Sequence, residues 1–396
     1  MIEKKTILKK EEKAVFVSVI QKDQTEEMVD EYLAELAELA ITAGLIPIRS
    51  FKQRLPQPDT RTYVGKGKLQ EIKQFIVLKD IDVLVVDDEL NGSTIRNIEK
   101  EIGIKVLDRE TVILNIFSQR ATSAASKIQV ELAQYLFILP KLKNMWTHLD
   151  KQSGASAGSR GTGETQRGID SFLVKQKISL LRKKLIEIEK QAITQRKDRG
   201  EFIRVSLCGY TNCGKSTLFN LLSKSDVFAE NKLFATLDTT TRRIDESTPF
   251  LLSDTVGFIR KLPHHLIESF KSTLAESLES DILLHVVDIS HDNFEDQINV
   301  VNKTLQELKA FDKPISTIFN KMDLYQKKYF DEWVSDEVKQ DLLLELKNKW
   351  NVITNNQAVF ISATEKQNIE ELRTVILHKV RDMYQIRFPY KTVYYT

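Results

Sequence analysis

Residues Gly209, Tyr210, Thr211, Asn212, Cys213, Gly214, Lys215 and Ser216 join glycines to small side chains and end on a lysine and a hydroxyl. Such a loop turns consecutive backbone N–H groups onto phosphate oxygens. Lys215 is placed to reach β- and γ-phosphates, and the Ser216 hydroxyl to bind Mg2+. The strand pattern Ile203–Cys208 precedes the loop and the helical pattern Thr217–Leu222 follows it. The helix N-terminus therefore adds positive potential at the phosphates.

The loop does not choose between ATP and GTP; the residues after it do. A strand at Phe250–Leu252 runs into Asp254, Thr255, Val256 and Gly257. Asp254 is expected to hold Mg2+ through a water, and the Gly257 N–H to meet the γ-phosphate. Ser316–Phe319 leads into Asn320, Lys321, Met322 and Asp323. A carboxylate such as Asp323 accepts two hydrogen bonds from the guanine N1–H and 2-amino group, which adenine cannot offer. Ser362, Ala363 and Thr364 end the next strand, where a backbone N–H can meet guanine O6. Between the loop and Asp254, the stretch Phe234, Ala235, Thr236, Leu237 and Asp238 is the expected first switch. Thr236 is the preferred second Mg2+ ligand, with Thr239, Thr240 and Thr241 as alternatives. Lys215, Thr236 and Gly257 are the residues expected to act on the transferring phosphoryl group.

One catalytic group is missing. Many GTPases place a glutamine directly after the glycine of the second motif, to orient the attacking water; here that position is Phe258. Hydrolysis by the isolated chain is therefore expected to be slow. The missing group would come from K+ beside Asn212 or from a docked partner. Arg260, His264 and His265 lie nearby but read as structural or interface residues.

These motifs need strands to carry them, and the chain has the length for several domains: 396 residues is too long for one ordinary domain. The expected fold class is α/β. A P-loop GTPase domain at 201–385, Ras-like with a mixed sheet and helices on both faces, follows a small α/β domain at 1–119 and a basic helical hairpin at 120–200. In the first domain, strand patterns at Ala14–Ile20, Ile46–Ile48, Asp82–Val86 and Lys105–Leu107 alternate with helical ones at Thr25–Ala43, Gly67–Leu78 and Asn91–Ile102. That alternation predicts a largely parallel sheet. The hairpin consists of Lys127–Lys143 and Ile169–Arg196, joined by a Gly/Ser-rich linker at 153–163. Residues 386–396 form a short aromatic tail.

Net charge is only +2, but Arg120–Arg204 holds 17 Lys and Arg against 8 Asp and Glu, a local excess of +9 that leaves the rest near −7. A positive segment of this kind suits nucleic-acid phosphates. The two cysteines, Cys208 and Cys213, lack metal-ligand spacing and fit a reducing cytoplasm. A charged N-terminus and apolar runs only of strand length predict neither a signal peptide nor a membrane span.

Beyond the nucleotide motifs, the chain resembles the HflX family of translational GTPases. Thr62–Leu69, Val86–Leu90, Val106–Glu110, Ile116–Arg120, Lys127–Gln134 and Arg160–Gln166 are similar to that family, as are Phe234–Asp238, Asp254–Arg260 and Leu262–Leu266. The resemblance implies GTP and GDP as ligands and Mg2+ on Ser216 and Thr236. It also implies binding to the large ribosomal subunit and its rRNA, and splitting or rescue of stalled ribosomes under stress; the chain itself is expected to be a cytoplasmic monomer. Hydrolysis would then be stimulated by the ribosome. The competing expectations are a ribosome-assembly or RNA-modification GTPase and a GTP-dependent adaptor for a protein partner.

Overall fold

The computed structural model describes residues 11–146, 162–197, 202–224, 233–244, 247–263, 266, 269–270, 279–310, 312–330, 333, 335–355 and 357–390. His264, His265, residues 153–161 of the expected linker and the end of the tail lie outside them. The chain divides into two compact units. One comprises Met1–Gln119 with Lys127–Lys184, the other Arg120–Ser126 with Leu185–Thr396.

The first unit is built on β1 (Glu12–Ile20), α1 (Glu26–Thr42), β2 (Leu45–Arg54), α2 (Lys66–Lys79), β3 (Val83–Val86), α3 (Gly92–Ile102), β4 (Lys105–Asp108) and α4 (Arg109–Arg120). The strands lie in the order β2-β1-β3-β4, and every pair is parallel. Residues Ala14–Ile20 and Val83–Val86 are continuously buried, as expected where helices cover both faces of a sheet. Helix α1 starts at Thr25, whose hydroxyl accepts the Met28 N–H, and buries Val29, Leu33, Leu36, Leu39 and Ala40. This is one face of a 3.6-residue repeat. Edge strand β2 contains Pro47 and runs past its apolar sequence pattern, which ends at Ile48, through largely polar and charged residues to Arg54. The sheet absorbs the proline with a register shift between Ala14 and Val15, a position an edge strand tolerates. Helix α4 has no counterpart among the sequence patterns. Its first turn is polar but inward-facing, with Arg109 and Glu110 buried.

Those polar residues form a network. Arg109 donates to Asp87 at 3.0 Å and to Glu35 at 2.6 Å, and Lys141 pairs with Asp108 at 2.8 Å. Lys141 stands on α5 (Ala124–Trp146), which is followed by α6 (Thr162–Lys197). Helix α6 begins seven residues before the expected Ile169. Glycine-rich composition predicts a linker to 163, yet Thr162 and Gly163 are already helical. Lys177 of α6 meets Glu131 of α5 at 3.2 Å. Lys175, Arg182, Lys183, Lys184 and Lys190 are exposed.

The second unit contains β5 (Ile203–Gly209), α7 (Lys215–Ser223), β6 (Thr240–Ile244), β7 (Phe250–Asp254), β8 (Ile282–Asp288), α8 (Phe294–Glu307), β9 (Ile315–Asn320), α9 (Met322–Tyr329), α10 (Asp336–Ile353), β10 (Ala358–Phe360) and α11 (Ile369–Arg387). The sheet order is β10-β9-β8-β5-β7-β6. It is parallel except for β6, which runs antiparallel to β7 at the edge. By sequence, β6 belongs to the Thr-rich switch loop; pairing with β7 draws Thr240 and Thr241 into an edge strand, which β-branched residues favour. Gln385–Arg387, expected to border or open the tail, complete the last turn of α11. The core packs Val205, Leu207, Leu218, Phe219, Leu252, Leu284 and Ile318 against Leu372 and Ile376 of α11. Among the described residues no helix is long and apolar enough to cross a membrane.

Burial foremost, then the charges of Glu89 and Asp108, push the Glu110 carboxyl up to about 8, against the pull of Lys141. In the unfolded chain the same carboxyl ionises near its ordinary 4.5. Between those values the folded state holds the extra proton, so this group makes stability fall as pH rises. Glu110→Gln should match the parent near pH 4.5 and exceed it by on the order of 2 kcal/mol at pH 8 in denaturant unfolding. An unchanged pH slope would contradict this account.

Candidate nucleotide site

The sheet's geometry concentrates the motifs at one place. Strands β5, β7 and β9 end at Gly209, Asp254 and Asn320, and Ser362 lies just past β10. All are carboxyl ends, where a doubly wound sheet opens a crevice at the reversal of strand order. Here that reversal is at β5, between β7 and β8. The resulting cleft of about 380 Å³ is lined by Thr211, Asn212, Gly214, Lys215, Ser216, Phe234, Ala235, Thr236, Thr255, Gly257, Lys321, Asp323 and Thr364.

The phosphate loop leaves β5 and enters α7 through Gly214, whose φ is +93°. A Cβ there would lie 2.3 Å from the Asn320 amide, so the position needs glycine for both reasons. Lys215 curls back over the loop and donates to the carbonyls of Tyr210 (2.7 Å) and Gly209 (3.3 Å). Those bonds hold the ammonium in the cleft. Burial pushes the Cys213 thiol upward despite the opposing charge of Lys215, and pushes the Cys208 thiol up to about 12. Both cysteines are free thiols and, so protonated, poor nucleophiles.

Three hard oxygen groups meet beside the lysine. The Ser216 hydroxyl lies 2.8 Å from that of Thr236 and donates to Asp254 Oδ2 at 2.6 Å, while Thr236 donates to the same oxygen at 3.4 Å. Asp254 is fully buried, and its Oδ1 has no hydrogen-bond partner among the described residues. Burial raises its pKa, opposed by the Ser216 hydroxyl, Lys215 and Thr236. Two hydroxyls and a carboxylate with a spare oxygen suit a small, hard dication that keeps some waters and takes the rest of its shell from phosphates. Two alternatives to Thr236 are placed elsewhere: Thr240 and Thr241 lie in β6, where the Thr241 hydroxyl meets that of Ser253 at 2.9 Å.

At the other end of the cleft, Asn320 is buried and works as a brace. Its amide donates to the Cys213 carbonyl at 3.0 Å and its Oδ1 accepts the Ala363 N–H at 3.0 Å. It thereby ties the phosphate loop to the Ser362–Thr364 turn. Lys321, at φ +65°, caps α9 and pairs with Asp288 at 2.6 Å. Asp288 is absent from the sequence-derived candidates, although its position at the end of apolar strand β8 is a signal that points to it. Asp323 and Leu324 face the cleft. Met322 is buried and donates its N–H to the Ile361 carbonyl. Gly209, Tyr210, Cys213, Leu237, Asp238, Asp254, Val256, Asn320, Met322, Ser362 and Ala363 do not line the cleft; several of them frame it from behind. Leu237 is buried, and the Asp238 carboxylate is engaged by Thr122 and Ser123 instead.

After Gly257 the chain is stitched to the phosphate loop. Phe258 donates its N–H to the Gly209 carbonyl at 3.0 Å and accepts the Thr211 N–H at 2.8 Å. The Arg260 N–H donates to the Tyr210 hydroxyl at 2.9 Å. The approach is so close that a Cβ on Gly257 would sit 2.9 Å from Thr211 Cα and 3.0 Å from the Lys215 ammonium. The Phe258 ring is among the largest fully buried side chains. Position 258 thus fails to supply a catalytic group for a second reason: its side chain points into the core. Phe258→Gln should therefore not raise intrinsic hydrolysis. It should cost about 3 kcal/mol in unfolding free energy, as expected for removing a buried ring, and a faster variant of parental stability would contradict the placement.

Residues 30–118 match the family model described as GTP-binding GTPase N-terminal, 120–199 that described as GTP-binding GTPase Middle Region, and 204–321 that described as 50S ribosome-binding GTPase. The GTPase HflX of Flavobacterium psychrophilum is 48% identical over 400 residues, spanning 100% of this chain and 96% of that protein. Its counterpart in Caldanaerobacter subterraneus is 38% identical over 96% of this chain and 84% of its own length. That of Escherichia coli is 39% identical over 80% and 74%. Among solved structures, the complex of SsGBP with GDP is 25% identical and superposes with a TM-score of 0.51, covering 94% of this chain and 99% of that one. A phosphate loop, an Asp254-to-Gly257 turn and an Asn320-to-Asp323 motif around one cleft, in a chain nearly half identical to a GTPase HflX along its full length, place this protein in the HflX family of GTPases.

Proposed function

We propose that this GTPase works as a ribosome-bound switch: it engages the large subunit and its rRNA in the GTP state, acts in ribosome splitting or rescue under stress, and is stimulated to hydrolyse by the ribosome. The observation that carries the proposal is the buried Phe258 ring. With no side chain at that position to polarise water, the nucleotide unit holds phosphate but leaves the hydrolytic water to something outside the chain or to a cation. The match of 204–321 to the model described as 50S ribosome-binding GTPase supports a ribosomal partner. So do the exposed Lys175, Arg182, Lys183, Lys184 and Lys190 of α6, which suit backbone phosphates.

In this reading Ser216 and Thr236 would hold Mg2+ directly and Asp254 would hold it through a water. When bound, the ion offsets charge building on the β- and γ-phosphate oxygens. Lys215 exchanges its loop carbonyls for those oxygens, and the Gly257 N–H meets the γ-phosphate. Water attack at γ-phosphorus breaks the bond to the β-bridging oxygen and leaves GDP and phosphate. Asn212, in the left-handed conformation at φ +61° on the cleft wall, is the residue that would face K+. Asp323 accepts from the guanine N1–H and 2-amino group. Asp323→Asn should therefore weaken GTP binding at least 100-fold and favour xanthosine triphosphate, whose O2 accepts from the new amide. Unchanged GTP selectivity would remove Asp323 from the base site.

The functional test is the GTPase rate with and without large subunits, in potassium and in sodium. Stimulation of at least tenfold that declines with salt is expected. A rate indifferent to large subunits would favour an adaptor role. Stimulation only by assembly precursors would favour a maturation factor.

A further inference from the structure

The first switch bears Thr236 on a stretch without regular structure, Leu233–Thr239. No backbone ladder fixes it there, so something else must hold the Thr236 hydroxyl within reach of Ser216. Upstream, Phe234 adopts φ +54° with its ring buried. Directly after Thr236, Leu237 is buried. One residue further, Asp238 turns its carboxylate away from the cleft and onto the segment that opens α5. Oδ2 accepts from the Thr122 hydroxyl at 2.5 Å, the Thr122 N–H at 3.3 Å and the Ser123 N–H at 3.2 Å, and Oδ1 accepts from the Ser123 hydroxyl at 2.6 Å.

This is a complete cradle for one carboxylate. Two N–H and two O–H donors converge on it, and such charge-assisted bonds are about twice as strong as neutral ones. The donors belong to the same compact unit as the nucleotide site, since Arg120–Ser126 groups with Leu185–Thr396. The Ser123 hydroxyl also accepts the Ser126 N–H at 3.0 Å, capping the first turn of α5. Thr122 has no such role in capping. The two residues can therefore be separated by experiment.

We infer that Thr122 and Ser123 are positioning residues for the first switch: through Asp238 they keep Thr236 over Ser216 and Asp254. The inference rests on the reading of Thr236 as a Mg2+ ligand. A strand-like chain advances about 3.3 Å per residue, so an anchor two residues from Thr236 leaves it little slack. Mg2+ demands ligands within a few tenths of an ångström of ideal. Because γ-phosphate and Mg2+ are what the closed switch serves, the effect should fall on GTP turnover and Mg2+ requirement rather than on GDP binding.

The test uses the full chain with Thr122→Val, which leaves the Ser123 cap intact, and with Ser123→Ala. Three quantities are measured: affinity for a fluorescent GDP, kcat for GTP, and the Mg2+ concentration giving half-maximal hydrolysis. Thr122→Val is expected to leave GDP affinity within about twofold while raising the Mg2+ requirement or lowering kcat about tenfold, the equivalent of one charge-assisted hydrogen bond. Thr122→Ser, which restores the hydroxyl, should recover most of that loss. Parental kcat and Mg2+ requirement in both Thr122→Val and Ser123→Ala would overturn the inference, as would equal loss of GDP and GTP binding in Thr122→Val. Thr236→Val separates the two readings. If it too leaves the Mg2+ requirement unchanged, the metal assignment is wrong; if it alone raises that requirement, only the positioning role is.

Discussion

The nucleotide unit depends on one electrostatic constraint: a fully buried carboxylate, Asp254, whose side-chain donors among the described residues gather on one oxygen. Ser216 and Thr236 both bond to Oδ2, and Oδ1 is left without a hydrogen-bond partner among the described residues. A buried carboxylate kept in this way is costly unless a further partner arrives. A water or a cation reaching Oδ1 would relieve that cost. Strand β7 sets Asp254 at the sheet's carboxyl edge, α7 brings Ser216 alongside, and the first switch adds Thr236 from above.

What surrounds that cluster is largely backbone held at close quarters. Phe258 ladders to Gly209 and Thr211, Asn320 bridges Cys213 to Ala363, and Gly214 and Gly257 admit no Cβ. A site built in this way is pre-organised for phosphate. The first switch is flanked instead by the buried Leu237 and by the Asp238 cradle. The division of labour follows from this. The phosphate loop, Asp254 and Asn320 stand on strands and a helix N-terminus, while Thr236 stands two residues from an Asp238 held by side-chain and backbone donors.

Much of this is legible in the sequence because its signals are local. Strand, loop and helix patterns around Gly209–Ser216 and the order of the later motifs follow from residue type and spacing, and the fold class and family membership follow with them. Non-local features are not legible. The β6 pairing depends on β7, the register shift at Pro47 on β1, and the early start of α6 overrides a glycine-rich composition. Four threonines in and after the first switch are chemically equivalent in the sequence, and only packing sets Thr236 beside Ser216. Asp238 belongs to a switch motif but points to Thr122, 116 positions earlier, which no local pattern can show. From residue type, Phe258 means the absence of a catalytic group; its burial adds that this absence is also structural.

The central claim is that the chain binds GTP through a complete site and hydrolyses it with an incomplete one. Single-turnover hydrolysis by the full chain, with saturating GTP and Mg2+ and with or without purified large ribosomal subunits, tests it most directly. The account predicts tight GTP binding in both cases, slow turnover alone and a rise of at least tenfold with subunits. Fast hydrolysis by the isolated chain, unchanged by subunits, would contradict it.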